Sequence, residues 1–375
     1  MLVELKARFD EARNVGFATR LEEAGCNVAY GIVGLKTHAK CMLVVRREKS
    51  AAFGLRTYVH IGTGNYNPST ASLYTDMGVL SCDPQLGEDV VDMFKFLTGI
   101  HLQRAVGGFR KLLVGNEYMK AQLLTLIDSE IESAKAGHPA ALCIKARPAR
   151  PTWLKRLSCD GGVQSCTRGR PHIVCESVPR RAAKFVWPGL QVNGLDDTTM
   201  VAKLYEAADA GVRVDCIVRG VCRLRPGIPG RSENIRVVSI IGRFLEHHRI
   251  YTFHNRGKPL YYIASADWMK RNLNNRIEVG VPVQRARSMD RLREQLSMCL
   301  LDKWAWEMLP DGSYRRPATR TDEAGRSSVL LGQPGYPPEQ LQQLEEKGTQ
   351  ACLMWSILHK IQARSDDGKA AEKFF

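Results

Sequence analysis

The alternation of apolar and polar positions predicts helices and strands in regular succession along the chain. Apolar residues recur at every second position in residues 28–32, as on a strand, and at every fourth position from Met119 to Ile131, as on one helix face. The same patterns predict helices at about 10–24, 87–97, 117–135, 198–210 and 289–308, and strands at about 2–5, 41–45, 57–61, 140–145, 213–219, 234–240, 249–253, 260–264 and 277–283. Helices that alternate with strands predict an α/β architecture.

A short polar motif occurs twice, each time where an apolar strand begins. His38 stands two residues before Lys40 in the first copy, and His247 stands two residues before Arg249 in the second. Because residues i and i+2 share one face of a strand, a single phosphate could contact an imidazole and a cation together. A turn of small residues follows each strand and ends in Asn65 or Asp267. The repetition predicts two halves that close one phosphate-binding site between them.

Length and composition set the broad class of the protein. The chain has 375 residues, enough for two domains of ordinary size, and 44% of them are hydrophobic. No apolar stretch approaches the roughly 20 residues that a membrane span needs. Charged residues follow Met1 at once, which does not fit a signal peptide, and the 11 cysteines form no paired framework. We expect a cytoplasmic protein with reduced thiols, although an organelle is also compatible.

The net charge of +15 favours a polyanionic partner: nucleic acid, anionic lipid or a phosphate polymer. Much of the excess is local, because residues 147–191 hold nine lysines and arginines against two acidic residues. This segment is rich in Arg, Pro, Gly and Cys and shows no periodicity. A structureless connection of this length is unusual inside a compact domain. We interpret it as a disordered insertion; a basic polyanion-binding loop is the alternative.

Longer stretches, in the same order along the chain, resemble the C-terminal catalytic half of bacterial-type polyphosphate kinases of the first family. They are residues 3–11, 34–40, 58–67, 73–76, 217–220, 224–227, 232–235, 243–247 and 265–269. The resemblance implies two phospholipase D-like α/β domains packed with pseudo-two-fold symmetry, which agrees with the repeated motif. We place the first domain at 1–137 and the second at 138–316. The tail, 317–375, is expected to be mostly disordered, with one possible helix near 339–363.

The resemblance also implies an activity, the reversible transfer of the terminal phosphate of ATP to polyphosphate through a phosphohistidine. By motif position, His38 is the histidine that becomes phosphorylated, and a neutral imidazole is a good nucleophile near pH 7. Lys40 would hold the phosphate oxygens. His247 matches the second histidine of the family's site and would act as general acid or base, or as a donor to the phosphates.

Further site residues follow from the same matches. Tyr74 would contact the nucleotide by stacking on adenine, and Arg219 and Arg276 would bind its phosphates. Arg8 matches a residue of the family's magnesium region. Arginine cannot ligate a cation, so we expect Arg8 to grip the phosphates that hold Mg2+. The alternative for Arg276 is a surface ion pair with Glu278.

Other polar residues near these motifs have less specific expectations. Asp76 and Glu233 could orient arginines or bind metal. Asn65 and Asp267 could cap a helix or hold the second nitrogen of a catalytic histidine. His248, beside His247, is expected to face outward.

The implied partners are ATP, ADP and inorganic polyphosphate, with no specific nucleic acid and with a homo-oligomeric full-length protein. The family has two further domains before the point that corresponds to Leu2, so we expect this chain to be a fragment with impaired activity. Two alternatives stay open, a phospholipase D-like phosphodiesterase and an inactive polyanion-binding remnant. The phosphodiesterase motif has an Asp six residues after its Lys, whereas Arg46 and Asn255 occupy those positions here.

Overall fold

The computed structural model describes residues 2–4, 11–29, 32, 34–50, 54–98, 108–115, 117–142, 190–192, 194–302, 304–316 and 350. Its helices are α1 Glu11–Glu23, α2 Pro68–Ala71, α3 Pro84–Leu97, α4 Glu117–Lys135, α5 Thr198–Asp209, α6 Lys270–Asn275 and α7 Ala286–Leu301. Its strands are β1 Leu2–Glu4, β2 Asn27–Ala29, β3 Lys36–Thr37, β4 Lys40–Arg47, β5 Leu55–Gly62, β6 Tyr74–Thr75, β7 Gly78–Ser81, β8 Leu113–Gly115, β9 Ala141–Leu142, β10 Leu190–Val192, β11 Arg213–Val218, β12 Ile235–Ser239, β13 Leu245–Glu246, β14 Arg249–Phe253, β15 Leu260–Ala264, β16 Arg276–Pro282, β17 Trp306–Met308 and β18 Tyr314–Arg315. None of the helices described is long and apolar enough to cross a bilayer.

A large mixed sheet organises the second half of the chain. Its strand order is β18-β17-β12-β11-β10-β14-β15-β16-β3, with β9 added beside β11 and β8 beside β16. Side chains of successive strand residues face opposite sides of a sheet. Val237 and Cys216 therefore enter one apolar core, while their neighbours Val238 and Ile217 enter the other.

Helices cover both faces of this sheet. The apolar stripe that begins at Met119 places α4 on one face, beside α5 and α6. On the opposite face α7 contributes Leu292 and Leu296, and α3 adds Val90 and Met93. The α/β prediction from the sequence is confirmed by this three-layer arrangement. The predicted boundary at residue 137 assigns α4 to the first domain, and that division stays a prediction.

Local signals account for the starts of α3 and α5. Asp83 caps α3 by accepting from the N–H of Leu86, with Pro84 in the first turn, and Asp197 caps α5 by accepting from Met200. The predicted helix at 289–308 is wrong at its C-terminal end. Helix α7 stops at Leu301, and β17 pairs with β12 instead. A sheet edge that binds these residues overrides their helical periodicity, which a single sequence does not reveal.

A separate three-stranded sheet, β4-β5-β7, repeats the geometry of β14-β15-β16. Lys40 pairs with Gly62, and Gly62 with Gly78; at equivalent positions Arg249 pairs with Ala264, and Ala264 with Gly280. The internal repeat seen in the sequence is thus a repeat of structure. It relates His38 to His247 and Asn65 to Asp267.

The insertion and the tail fall largely outside the described residues. Leu190 and Gln191, the last two residues of the predicted insertion, form β10 and pair with β11 and β14. The remainder of 147–191 lies outside the description, as does the tail from 317 apart from Gln350. The helix predicted near 339–363 therefore stays a prediction.

Candidate functional site

His38 is positioned by a short parallel pairing between the two halves. Strand β3 pairs with β16, with Lys36 opposite Arg276 and Thr37 opposite Ile277. Where the pairing ends, the backbone N–H groups of His38 and Ala39 both donate to the carbonyl oxygen of Ile277, each at 2.9 Å. The imidazole is thereby placed beside Glu278, the next residue of the opposite strand.

The second histidine is positioned by the same device with the halves exchanged. Strand β13 pairs with β6, which sets Glu246 opposite Thr75. The N–H groups of His247 and His248 then donate to the carbonyl oxygen of Thr75, at 3.2 and 2.9 Å. His247 comes to lie beside Asp76. Each half therefore carries a histidine whose partner carboxylate belongs to the other half.

The two carboxylates fix the orientation of both imidazoles. His38 Nδ1 lies 2.8 Å from Glu278 Oε2, and His247 Nδ1 lies 2.8 Å from Asp76 Oδ1. A carboxylate can only accept, so Nδ1 carries the proton in each neutral ring and Nε2 carries the lone pair. This is the arrangement that a histidine nucleophile requires at Nε2.

Hydroxyl groups of the two small-residue turns hold these carboxylates in turn. Thr63 Oγ1 donates to Asp76 Oδ1 at 2.7 Å, and Ser265 Oγ donates to Glu278 Oε2. Glu278 also accepts from the amide of Asn272 at 2.7 Å. The turn approaches so closely that a Cβ at Gly64 would collide with the Asp76 carboxylate. This contact explains the glycine at position 64.

The Nε2 atoms of the two histidines have different surroundings. Among the residues that the structure describes, none forms a hydrogen bond with His38 Nε2. His247 Nε2, in contrast, lies 3.1 Å from Arg249 Nη1. A guanidinium only donates, so the lone pair of His247 Nε2 accepts this hydrogen bond.

Lys40 joins the two halves into one charged cluster. Its ammonium group is buried, and Nζ donates to the carbonyl oxygen of His38 at 2.5 Å. Burial lowers the pKa of Lys40 to about 8, against the attraction of Glu278, and Arg249 and Arg276 lower it further. Asp76 also acts on Lys40, so the carboxylates of both halves act on one amine.

The remaining groups near His38 favour its neutral imidazole and an anionic ligand. Burial lowers the pKa of His38, opposed by its hydrogen bond with Glu278 and assisted by the positive charges of Lys40 and Arg276. The ring of Tyr74 packs against His247 with centroids 4.8 Å apart. Tyr74 and Arg276 occupy equivalent positions, each two residues before the carboxylate of its strand. His38, Lys40, His247, Tyr74 and Arg276 are thus brought into one region.

Comparison with known proteins identifies the family of the chain. The family model "Polyphosphate kinase C-terminal domain 1" matches residues 1–103, and "Polyphosphate kinase C-terminal domain 2" matches residues 181–328. The chain belongs to the polyphosphate kinase family. A polyphosphate kinase of Dictyostelium discoideum is 43% identical over 88% of the chain, and one of Thermosynechococcus vestitus is 45% identical over 88%. The resemblance inferred from the sequence is confirmed.

Solved structures agree with this assignment. The crystal structure of polyphosphate kinase from Porphyromonas gingivalis is 30% identical, with a TM-score of 0.66 over 87% of the chain. This confirms the expected fold of two phospholipase D-like α/β domains. The chain spans 26% and 38% of the two curated polyphosphate kinases and 42% of the crystallised one. It corresponds to the C-terminal part of these longer proteins.

Two of the expected polyphosphate kinase site residues are not placed beside the histidines by a described contact. Arg219 directly follows β11; its N–H donates to Val192 and its carbonyl accepts from Ser239. Arg8 lies outside the described residues. The roles given to both arginines stay predictions.

The expectation for His248 is wrong. His248 is buried, not outward-facing, because α7 covers it: His248 Nε2 lies 2.6 Å from the Gln295 amide. Two carboxylates with open roles have partners in the described part of the chain. Asp267 accepts from Arg249 rather than from a histidine. Asp76 orients His247 and also interacts electrostatically with Arg249.

The sequence did not predict Glu278 as a partner of His38. It indicated Glu278 only as an ion-pair partner of Arg276. A signal was present, because aligning the two halves puts Asp76 and Glu278 at the same place, two residues before Gly78 and Gly280.

Proposed function

We propose that this chain supplies the catalytic cleft for reversible transfer of the terminal phosphate of ATP to polyphosphate, with His38 as the phosphorylated residue. The proposal rests on the different hydrogen bonding of the two ring nitrogens of His38. Its Nδ1 is held by buried Glu278, while Nε2 has no hydrogen-bond partner among the described residues. A lone pair held in this way is directed for attack.

In the proposed reaction the Nε2 lone pair of His38 attacks the γ-phosphorus of ATP. The new P–N bond forms as the bond to the bridging oxygen breaks, and ADP leaves with that electron pair. The imidazole becomes cationic, and Glu278 stabilises this charge through Nδ1–H. A terminal oxygen of polyphosphate then attacks the same phosphorus and breaks the P–N bond, which lengthens the chain by one phosphate. Each step is reversible.

The surrounding cations stabilise the charge on the transferring phosphoryl group. Lys40 and Arg276 act electrostatically on His38, and Arg249 lies beside His247. Guanidinium and ammonium groups in a partly buried cleft are favourable for this purpose. We propose that Tyr74 stacks on the adenine and that Arg219 binds nucleotide phosphates. His247 would need a proton on Nε2 to act as an acid or a phosphate donor; in its neutral form it positions Arg249 instead.

Magnesium belongs to the same proposal. No group of three or more His, Cys, Asp or Glu side chains suited to a metal is found in the described part of the chain. Asp76 and Glu278 already accept from the histidines. The described residues therefore offer no protein cage, and Mg2+ would be held chiefly by nucleotide and polyphosphate oxygens, where it neutralises their charge. Arg8 would grip the same phosphates.

We also propose ATP, ADP and polyphosphate as partners, no specific nucleic acid, a cytoplasmic location and a homo-oligomeric full-length protein. The family supports these proposals, and the charge of the cleft supports the anionic partners. Two alternatives from the sequence remain as outcomes of a test, a phosphodiesterase and an inactive polyanion-binding remnant.

The test is single-turnover labelling of the chain with γ-labelled ATP and magnesium. We expect acid-labile, alkali-stable label on His38, mapped by mass spectrometry, which ADP and polyphosphate both discharge. The His38→Asn variant should take up no label. Polyphosphate binding without label would support the inactive remnant, and hydrolysis of bis(p-nitrophenyl) phosphate would support the phosphodiesterase. Label on another residue would overturn the assignment of His38.

A further inference from the structure

Among the equivalent positions at which the two halves of the site differ, two concern the cation beside each histidine and the residue that could hold that cation. The first residue of the histidine-bearing strand is Lys40 in one half and Arg249 in the other, and the closing residue of the turn is Asn65 or Asp267. Asn65 is exposed, whereas Asp267 is buried. The hydroxyl, the carboxylate and the backbone pairing around each histidine correspond, although Arg276 stands in one half where Tyr74 stands in the other. Lys40 and Arg249 supply the cations beside the two histidines, and Asn65 and Asp267 differ in whether they can hold a guanidinium.

In the second half the arginine is held from three sides. Arg249 Nε and Nη2 each donate to a carboxylate oxygen of Asp267 at 3.0 Å, a bidentate pair. The third nitrogen, Nη1, donates to His247 Nε2 at 3.1 Å. The Arg249 side chain is only 3% exposed, so the protein surrounds its guanidinium. The His247 lone pair is thus occupied by a donor that is itself fixed.

In the first half, no described residue takes the place of this donor. Lys40 Nζ donates to the backbone carbonyl oxygen of His38 at 2.5 Å and not to the imidazole ring. Asn65 supplies no carboxylate that could hold a guanidinium. Within the described part of the chain, His38 Nε2 accepts from no residue.

We propose that the Arg249–Asp267 pair suppresses the nucleophilicity of His247 and so confines phosphorylation to His38. Attack by His247 requires the hydrogen bond from Arg249 to break, and Asp267 prevents the guanidinium from moving aside. Asp267 is thus a positioning residue that acts through Arg249. The inference deepens the proposed function, on which its biological meaning rests.

The test uses phosphoramidate, a small phosphoryl donor that modifies histidine without ATP. The Nε2 lone pair attacks phosphorus, the P–N bond of phosphoramidate breaks, and the leaving nitrogen departs as ammonia. Each imidazole is thereby assayed for its own reactivity. The ATP labelling described above tests the proposed function, so failure of that function and failure of this inference give different results.

The parent chain should be modified at His38 Nε2 and scarcely at His247. The double variant Arg249→Lys, Asp267→Asn copies the first half, and we expect it to raise the rate of modification at His247 by about tenfold or more, the factor expected for loss of one charge-assisted hydrogen bond. The matched control Arg213→Lys, Asp215→Asn alters another ion pair, between a partly exposed arginine and a buried aspartate on β11, and should leave His247 unmodified. Equal modification of His38 and His247 in the parent would overturn the inference, as would an unreactive His247 in the folded double variant.

A measurement on the unmutated chain covers the case in which the double variant does not fold. Two-bond 1H–15N spectra of the histidine rings report the tautomer and the hydrogen bonding of each nitrogen. We expect neutral His247 to carry its proton on Nδ1 with Nε2 shifted as an acceptor, and His38 Nε2 to show no such shift. A protonated Nε2 on His247 at pH 7.5 would contradict the inference.

Discussion

At the scale of single residues, the burial of charged Lys40 lowers the stability of the folded protein. Its pKa falls from 10.5 to about 8 because burial disfavours the charged amine more than Glu278 and Asp76 favour it. A shift of this size corresponds to as much as about 3 kcal/mol of destabilisation at neutral pH. Destabilisation of this kind is typical of functional sites, where ligand binding offsets it.

Lys40→Met should therefore stabilise the protein, and it should strongly weaken phosphate binding because it removes one cation of the cleft. We expect a melting temperature a few degrees higher at pH 7. The parent's free energy of unfolding should rise between about pH 8 and 10.5, because there the unfolded state binds the proton that the folded amine has lost, and the variant should lack this rise. Lys95→Met, at an exposed pair with Asp92, serves as the control and should change stability little. A lower melting temperature for Lys40→Met would contradict the interpretation.

Local sequence identified the histidines and their cations, but not what each ring contacts. His38 and Lys40 can be recognised by their spacing at the start of a strand, and the second copy of the motif repeats that spacing. Their carboxylates lie 240 and 171 positions away, on strands of the opposite half. Asp267 accepts from the guanidinium of Arg249, which lies 18 residues earlier and is brought beside it by the β14–β15 hairpin. Contacts of this kind follow from topology, which periodicity does not encode.

At the scale of elements, buried amphipathic segments were the most predictable. The stripe from Met119 to Ile131 gave α4 within its observed bounds, and β14 and β15 were predicted to the residue. The two-residue strands β3, β6 and β13 were not predicted, because a pairing so short leaves no periodic pattern. These short strands are the ones that carry each histidine to its carboxylate.

The packing of α4 on the large sheet can be tested by one core substitution. Ile127 is fully buried among residues of α5 and the sheet, so Ile127→Ala should lower the free energy of unfolding by roughly 2–5 kcal/mol. Thr125→Ala, on the exposed side of the same helix, should change it by less than about 0.5 kcal/mol. Chemical denaturation of both variants measures the difference. If both substitutions lowered the free energy of unfolding equally, the apolar stripe of α4 would not lie in the core.

At the scale of the whole molecule, the crossed pairings make the two halves depend on each other. Strand β3 belongs to the first half of the chain and β16 to the second, while β6 and β13 join them in the opposite sense. Neither histidine is oriented without a carboxylate from the other half. The cleft is therefore a property of the assembled pair, and a phosphate polymer bound there, as proposed, would contact cations of both halves.

Binding of tripolyphosphate should consequently stabilise the molecule as one unit. A ligand that binds only the folded state raises its stability by about 2.7 kcal/mol at a concentration of 100 Kd. We expect the thermal transitions that involve the two halves to move upward together. The shift should shrink steeply from low to high salt, because the contacts are between cations and phosphate. Lys40→Met should lose most of the shift, whereas Lys95→Met should keep it. A shift confined to one of two transitions, or one insensitive to salt, would show that the halves do not form a common polyanion site.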